Sequence, residues 1–359
     1  MTISLADMQA HDPSGMLGAI HTLPEQLLDG FARAERQSAL AESWPASTHG
    51  GTATPRALVV CGMGGSGVGA DLLPAVAAAH APIVAVKGYE LPAWVDDTDR
   101  VICVSYSGNT AETIACYDQA MTQSVVAAVI TTGGALGERA RADGVPVIEM
   151  PSGLQPRAAV GVLFGALAGA AGALNVIADA RRVIDDAARG AQTVVDMHVG
   201  DDAECPALMF AREIGEATVV VYGAGITAPV AWRWKAQINE NSKMPAFANA
   251  YPELDHNEIV GWERARATDT MWALVELLPP DADARIRDRF NITGEIIEGE
   301  LAARIRLEPA NASQAGSVFE LVAWGDYIST YLALVHGVDP TPVERIHTCL
   351  LYTSDAADD

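Results

Sequence analysis

The sequence predicts an α/β protein of two domains, each a parallel sheet flanked by helices. Short β-branched runs alternate with segments of helical apolar spacing from Ala57 onward. The same strand–glycine–helix opening occurs twice, at ALVVCGM (57–63) and at ATVVVYGAG (217–225). The 359 residues, half of them hydrophobic, suffice for two cores of ordinary size. Strands that alternate with helices favour right-handed crossovers and therefore parallel pairing.

Taken in order, residues 16–43 carry apolar residues at helical spacing and predict one or two leading helices, followed by a polar loop at 44–55. The next strand, 57–63, ends in glycines. GADLLPAVAAAHA (69–81) predicts a helix, and PIVAVKG (82–88) and VICVSYS (101–107) predict strands. AETIACYDQAMTQ (111–123) predicts a helix, VVAAVITTGG (125–134) a strand, and a short helix and VPVIEM (145–150) complete the set. Two helical stretches, 158–177 and 178–199, lead out of this domain. The second series has a helix over PVAWRWKAQINENSKM (229–244), a loop over NAYPELDHNEIVGW (249–262), strands at 271–279 and 302–309, a helix at 283–291 between them, and a long helix at 317–337. The division expected is a helical segment at 1–50, a first domain at 51–190, a second at 205–348, and a tail at 349–359.

Composition narrows the function. A formal net charge of −23 opposes a nucleic-acid partner, because a polyanion would be repelled over most of the surface. It leaves room for a small anion held by local backbone N–H groups. Five cysteines occur without a CxxC pair, and Cys61 and Cys103 lie in apolar runs where a thiol acts as a small hydrophobe. A reducing cytoplasm fits this usage. The polar, acidic N-terminus is not a signal peptide. The uncharged stretch 158–177 is long enough to cross a bilayer, yet it is mostly Ala and Gly and stands alone, so a buried packing helix is expected and no membrane partner. The eight histidines form no HxH or HExxH pattern, so neither a metal nor another cofactor is expected.

Two glycine- and hydroxyl-rich turns follow strands. CGMGGSGVGAD (61–71) places Gly65 and Ser66 before a helix, whose free N–H groups and dipole attract a dianion. The spacing is not a clean GxGxxG, and a purely structural turn explains the glycines alone. VSYSGNTAETI (104–114) places Ser105, Ser107 and Thr110 in one tight turn around Gly108. Three short donors suit the three oxygens of a phosphate monoester, whereas ordinary helix capping accounts for one hydroxyl. Both turns sit at carboxyl ends of predicted parallel strands, where open α/β sheets bind ligands. No Walker lysine accompanies them, which argues against phosphoryl transfer.

GMGGSG and SYSGNT in successive turns resemble a sugar-isomerase (SIS) domain. WKAQINENSKMPAF (234–247) followed by YPELDHNEIVGW (251–262) resembles the signature of bifunctional phosphoglucose/phosphomannose isomerases. The likeness runs from about residue 57 to about 347. It implies two SIS-type domains and interconversion of glucose 6-phosphate or mannose 6-phosphate with fructose 6-phosphate through a cis-enediol.

The resemblance puts the family's base on Glu240, between Asn239 and Asn241; read alone, Glu240 is a surface residue paired with Lys243 at i+3. It puts the ring-opening histidine on His256, with Asp255, Asn257 and Glu258 available to orient the imidazole, and implies a homodimer in which this loop reaches the partner's site. The arginine beside the active centre falls on Arg157, whose charge would stabilise the enediolate; a cation capping the following helix N-terminus would be electrostatically poor. The sugar phosphate would be held by Gly65, Ser66, Ser105, Ser107 and Thr110. The family's C-terminal lysine falls on Leu350, within a tail, CLLYTSDAADD, that reads as a translated sequencing adapter. The alternatives are a non-catalytic sugar-phosphate-binding SIS protein or an isomerase inactive for want of that lysine.

Overall fold

A computed structural model of the chain describes residues 10–37, 54–198, 205–267 and 269–355. Most of the loop expected at 44–55, residues 38–43 of the leading helical stretch and residues 356–359 of the tail lie outside the described residues. Helices α1 (Met16–His21) and α2 (Leu23–Glu35) come first. The first sheet is built by β1 (Leu58–Cys61), α3 (Gly64–Val76), β2 (Ile83–Val86), β3 (Arg100–Val104), α4 (Ala111–Thr122), β4 (Val126–Thr131), α5 (Gly134–Ala142) and β5 (Val147–Glu149). Helices α6 (Val160–Ala173) and α7 (Ala180–Asp196) follow, so α7 runs unbroken through residue 190. Then come α8 (Pro206–Ile214), β6 (Thr218–Ala224), α9 (Ala228–Gln237), β7 (Ala246–Tyr251) and the single turn α10 (Glu258–Gly261). The chain continues through β8 (Trp272–Leu277), α11 (Ala284–Ile297), β9 (Ala303–Leu307), α12 (Gln314–Val335) and α13 (Glu344–Asp355).

Both sheets are wholly parallel, as the alternation of strands and helices predicts. The strand orders are β2-β1-β3-β4-β5 and β7-β6-β8-β9. Successive residues of a strand face opposite sides, and here both sides are buried. Leu58 and Val60 face a core shared with α6 and α12, while Val59 and Cys61 face α4 and α5. In the second sheet Val219 and Val221 face that same shared core, and Val220 and Tyr222 face α11 through Phe290. The two sheets thus sandwich a common helical layer.

The Ala/Gly-rich stretch is part of that layer, and every residue from Val160 to Ala171 is buried. Gly161, Gly165 and Gly169 recur every fourth residue and let α2 lie against α6 almost backbone to backbone. A methyl on Gly165 would stand 2.2 Å from the carbonyl oxygen of Leu27, and one on Gly30 would stand 2.0 Å from that of Val162. The long helix α12 has the length and hydropathy to cross a membrane, yet nearly all of it is buried inside the protein.

Several elements depart from expectation: α3 begins at Gly64, so Gly65 and Ser66 lie in its first turn and not before it, and α8 and α13 form where no helix is expected. Part of the stretch read as a loop, together with the residues just before it, is strand β7, AFANAY. Its register, from Val219 beside Ala246 to Ala224 beside Tyr251, makes it an edge strand. Alternating alanines carry no β signal, so pairing with β6 and not propensity decides this strand.

Candidate active site

In an open parallel sheet, ligands bind beyond the carboxyl ends of the strands where the winding direction reverses. In the first sheet the reversal lies between β1 and β3. The two turns singled out by sequence leave those two strands. In the second sheet the reversal lies between β6 and β8. Helix α9 starts there and carries Glu240 at its far end.

The two serine turns are fastened to each other. The backbone N–H of Tyr106 donates to Ser66 Oγ at 3.0 Å. Ser105 is fully buried; its Oγ accepts from the Gly108 N–H at 3.1 Å and lies 2.8 Å from Thr110 Oγ1. Ser107 is exposed and accepts from the Asn109 N–H at 3.2 Å. Ser105 therefore shapes the turn, while Ser107 and Thr110 keep access to solvent. Gly108 has φ of 71°, and a methyl there would stand 1.8 Å from the Gly133 carbonyl oxygen, so the turn accepts glycine alone.

Tyr106, which sequence reasoning passed over, also anchors the segment leading to Arg157. Its hydroxyl donates to Pro151 O at 2.7 Å and accepts from the Leu154 N–H at 3.1 Å. Gly65 completes this junction, since a methyl there would stand 2.6 Å from Pro156 O and 3.0 Å from Arg157 N.

Arg157 is 2 % exposed and spends its fork on fixed partners. Nε donates to Asn241 Oδ1 at 2.7 Å, and Nη2 donates to Pro340 O at 2.6 Å and Thr341 O at 2.8 Å. Nη1 is left to face Glu240 Oε2 at 3.5 Å. Burial pulls the guanidinium below its ordinary pKa, and the charge of Glu240, then of Asp326, opposes this. An arginine stays charged through such a shift.

Glu240 lies on a π-helical turn, Ile238–Ser242, that extends α9. Such turns are rare and recur at functional sites. The neighbouring side chains are engaged. Asn239 Oδ1 accepts from the Ala246 N–H at 2.8 Å, Asn241 Nδ2 donates to Ser329 Oγ at 3.0 Å, and Ser242 Oγ donates to Ser329 O at 2.7 Å. Only the Glu240 carboxylate, 26 % exposed, is turned toward open space. It does not pair with Lys243, whose ammonium reaches the carbonyl oxygens of Glu240 and of Pro340.

A second set of residues supports Arg157 from beneath. Arg233 Nη2 donates to both Asp326 oxygens, at 2.7 and 2.8 Å, and to Arg157 O at 3.1 Å. Gln237 Nε2 adds a bond to Asp326 at 2.6 Å. A carboxylate in the apolar run LVAWGDYIS was the signal for this pair, because a buried acid needs a partner.

A cavity of about 950 Å³ opens between α3 and α9. Gly65, Arg157 and Glu240 line it, beside Gly64, Trp232 and Arg233. Ser66, Ser105, Ser107 and Thr110 are not among its lining residues; they adjoin it through Ser66 and Tyr106. His256 is not brought to it either. That residue is exposed, on the 3-10 turn Glu253–His256 after β7. Its expected orienting neighbours are occupied elsewhere. Asp255 accepts from Arg289 and Thr293, Glu258 accepts from Tyr222 and Asn249, and Asn257 caps α10. They fix the backbone around His256, and its ring is left without a hydrogen bond among the described residues.

Comparison with known proteins gives consistent results. Residues 203–349 match the family described as the bacterial phospho-glucose isomerase C-terminal SIS domain. The bifunctional phosphoglucose/phosphomannose isomerase of Caldicellulosiruptor bescii is 37% identical over 297 residues, spanning 80% of this chain and 87% of that protein. The enzyme of the same description from Aquifex aeolicus is 33% identical over 294 residues, spanning 81% and 88%. Among solved structures, a hypothetical protein from Thermus thermophilus superposes with a TM-score of 0.75 at 17% identity, over 99% of this chain and 94% of that one. At that identity the likeness is one of fold.

Proposed function

Because the chain belongs to the family of bifunctional phosphoglucose/phosphomannose isomerases, we propose that it interconverts glucose 6-phosphate and mannose 6-phosphate with fructose 6-phosphate. The observation that carries the reading is the pairing of Arg157 Nη1 with Glu240 Oε2 at 3.5 Å, on a cavity whose other wall is the first turn of α3, at Gly64 and Gly65. A base and a fixed cation side by side suit one reaction class, removal of a proton next to a carbonyl.

In this reading the phosphate sits against Gly65, Ser66, Ser107 and Thr110, on the turn that Ser105 shapes. His256 protonates the ring oxygen and opens the hemiacetal. Glu240 takes the C2 proton, and the electron pair moves onto the C1 oxygen to give the cis-enediolate. Arg157 Nη1, the guanidinium edge not committed to fixed partners, meets that developing charge. A proton passes from the C2 hydroxyl to the C1 oxygen, Glu240 returns its proton to C1, and the C2 oxygen becomes the carbonyl. Mannose 6-phosphate presents its C2 hydrogen on the opposite side, so the same base serves it after rotation about C2–C3.

We further propose a homodimer in which His256 of the partner subunit completes each site. Support comes from the exposure of His256, its absence from the lining of its own subunit's cavity, and the exposed Trp232 at that cavity. The reaction needs no cofactor, and a net charge of −23 suits a small-molecule substrate in the cytoplasm. The domain division that goes with this reading is 51–190 for phosphate binding and 205–348 for proton transfer.

The test is a coupled assay with both aldose phosphates on the chain and on Glu240→Gln. Loss of C2 proton–deuterium exchange with retained phosphate binding supports the reading. Exchange that persists in Glu240→Gln rejects it. The same assay on Leu350→Lys measures what the C-terminal lysine contributes.

A further inference from the structure

We propose that Arg289 and Thr293, on helix α11, are positioning residues for His256 that act through Asp255. The inference rests on reading His256 as the ring-opening acid. Nothing in the motif containing His256 points to α11, which follows β8 and begins 28 residues later, at Ala284.

Arg289 and Thr293 are one helical turn apart and so present one face of α11. Arg289 Nη1 donates to Asp255 Oδ2 at 2.7 Å, and Thr293 Oγ1 donates to Asp255 Oδ1 at 2.8 Å. Both carboxylate oxygens are thereby taken, one by a charge-assisted bond. Helix α11 is itself a firm support, since Phe290 and Ile297 are buried against the second sheet. On the other side of His256, Glu258 accepts from Tyr222 OH at 2.6 Å and Asn249 Nδ2 at 2.5 Å. Tyr222 is held in turn by Trp262 Nε1 at 2.9 Å. Asn257 Nδ2 ties back to Glu253 Oε1 at 2.9 Å.

Four side chains thus brace the backbone on both sides of an imidazole that has no hydrogen bond of its own among the described residues. A ring without its own anchor is placed only as well as its backbone is. If it acts across a subunit boundary, small displacements matter: an error of about 1 Å costs on the order of a hundredfold in rate. The α11 side of the brace acts through Asp255, the residue directly before His256.

The experiment compares Thr293→Val, Asp255→Asn and His256→Gln with the parent chain. Two substrates are used: the ordinary cyclic aldose 6-phosphate and its 4,5-dideoxy analogue, which has no hydroxyl positioned to close a ring. We expect Thr293→Val and Asp255→Asn to lower kcat/KM for the cyclic sugar by about tenfold or more. C2 deuterium exchange in the open-chain analogue stays close to that of the parent. Amide exchange quickens over residues 253–261 and stays unchanged over α12, and Thr293→Ser, which keeps the hydroxyl, restores turnover. Equal losses on both substrates would mean a general structural role and overturn the inference. Parental turnover of the cyclic sugar by Thr293→Val and Asp255→Asn, with His256→Gln impaired, overturns it while leaving the role of His256 intact. Parental turnover by His256→Gln removes the premise itself.

Discussion

Arg157 and Glu240 approach to 3.5 Å from separate halves of the chain, and the geometry of that pair is set by groups that never face the cavity. The Nε and Nη2 edges of the guanidinium are committed to Asn241, Pro340 and Thr341. Only the Nη1 edge is presented to the site. The carboxylate is presented because both of its asparagine neighbours on the π turn are pinned.

Arg157→Lys should therefore be far from conservative. The charge survives, but an ammonium cannot bridge Asn241, Pro340 and Thr341 while also facing Glu240. We expect kcat to fall by about a hundredfold with a smaller change in KM, as for loss of an oxyanion donor. Steady-state kinetics with both aldose phosphates, beside a circular dichroism check of folding, measures this. A kcat near that of the parent would show that the fork has no role in turnover.

Asp326→Asn should cost stability before it costs chemistry. Asp326 is fully buried, and burial raises its pKa while Arg233 opposes the rise. Removing its charge leaves Arg233 buried and unpaired, a loss of about 3 kcal/mol or more. Urea unfolding at neutral pH measures it. An unchanged midpoint would mean that Arg233 finds water or another partner.

Lys243 gives a pH signature. Burial first, then the charge of Arg157, draws its ammonium from 10.5 down to about 8. Between those values the unfolded chain holds the proton and the folded chain does not, so this residue makes stability rise with pH across that window. Its charged form carries a penalty below about 8, softened because the side chain is substantially exposed. The difference in melting temperature between the parent and Lys243→Met should shift in the parent's favour as pH rises from about 8 to 10.5. A difference independent of pH would contradict this.

Gly165→Ala tests the contact between α2 and α6. Its new methyl would stand 2.2 Å from Leu27 O, a backbone atom that cannot swing aside. Forcing the helices apart should cost about 1–3 kcal/mol, read as a lower midpoint in denaturant. Gly18→Ala, where a methyl meets nothing within 4 Å, is the matched control.

Much of this molecule was legible in one dimension. The strands of the first sheet follow from β-branched runs bounded by glycine, and burial of the Ala/Gly stretch follows from its small, uncharged residues. The parallel sheets follow from the alternation of strands and helices. Less visible were β7, whose alternating alanines have no strand propensity, and Tyr106, which the sequence reading passed over. The buried pair of Asp326 and Arg233 left a trace, an acid in the middle of an apolar helix, but the trace does not name the partner.

The amino-acid sequence by itself determined the local chemistry: which segments wind or extend, where hydroxyls and glycines gather, and which motif contains a carboxylate between two asparagines. Those properties depend on residues a few positions apart. Only the tertiary structure decided which edge of Arg157 is available, that Ser105 is an internal pin, and that Asp255 answers to α11 rather than to the ring beside it. Each of those outcomes is a competition for hydrogen-bond partners, some of them 34 to 184 positions away, and burial settles it by denying water to the losers.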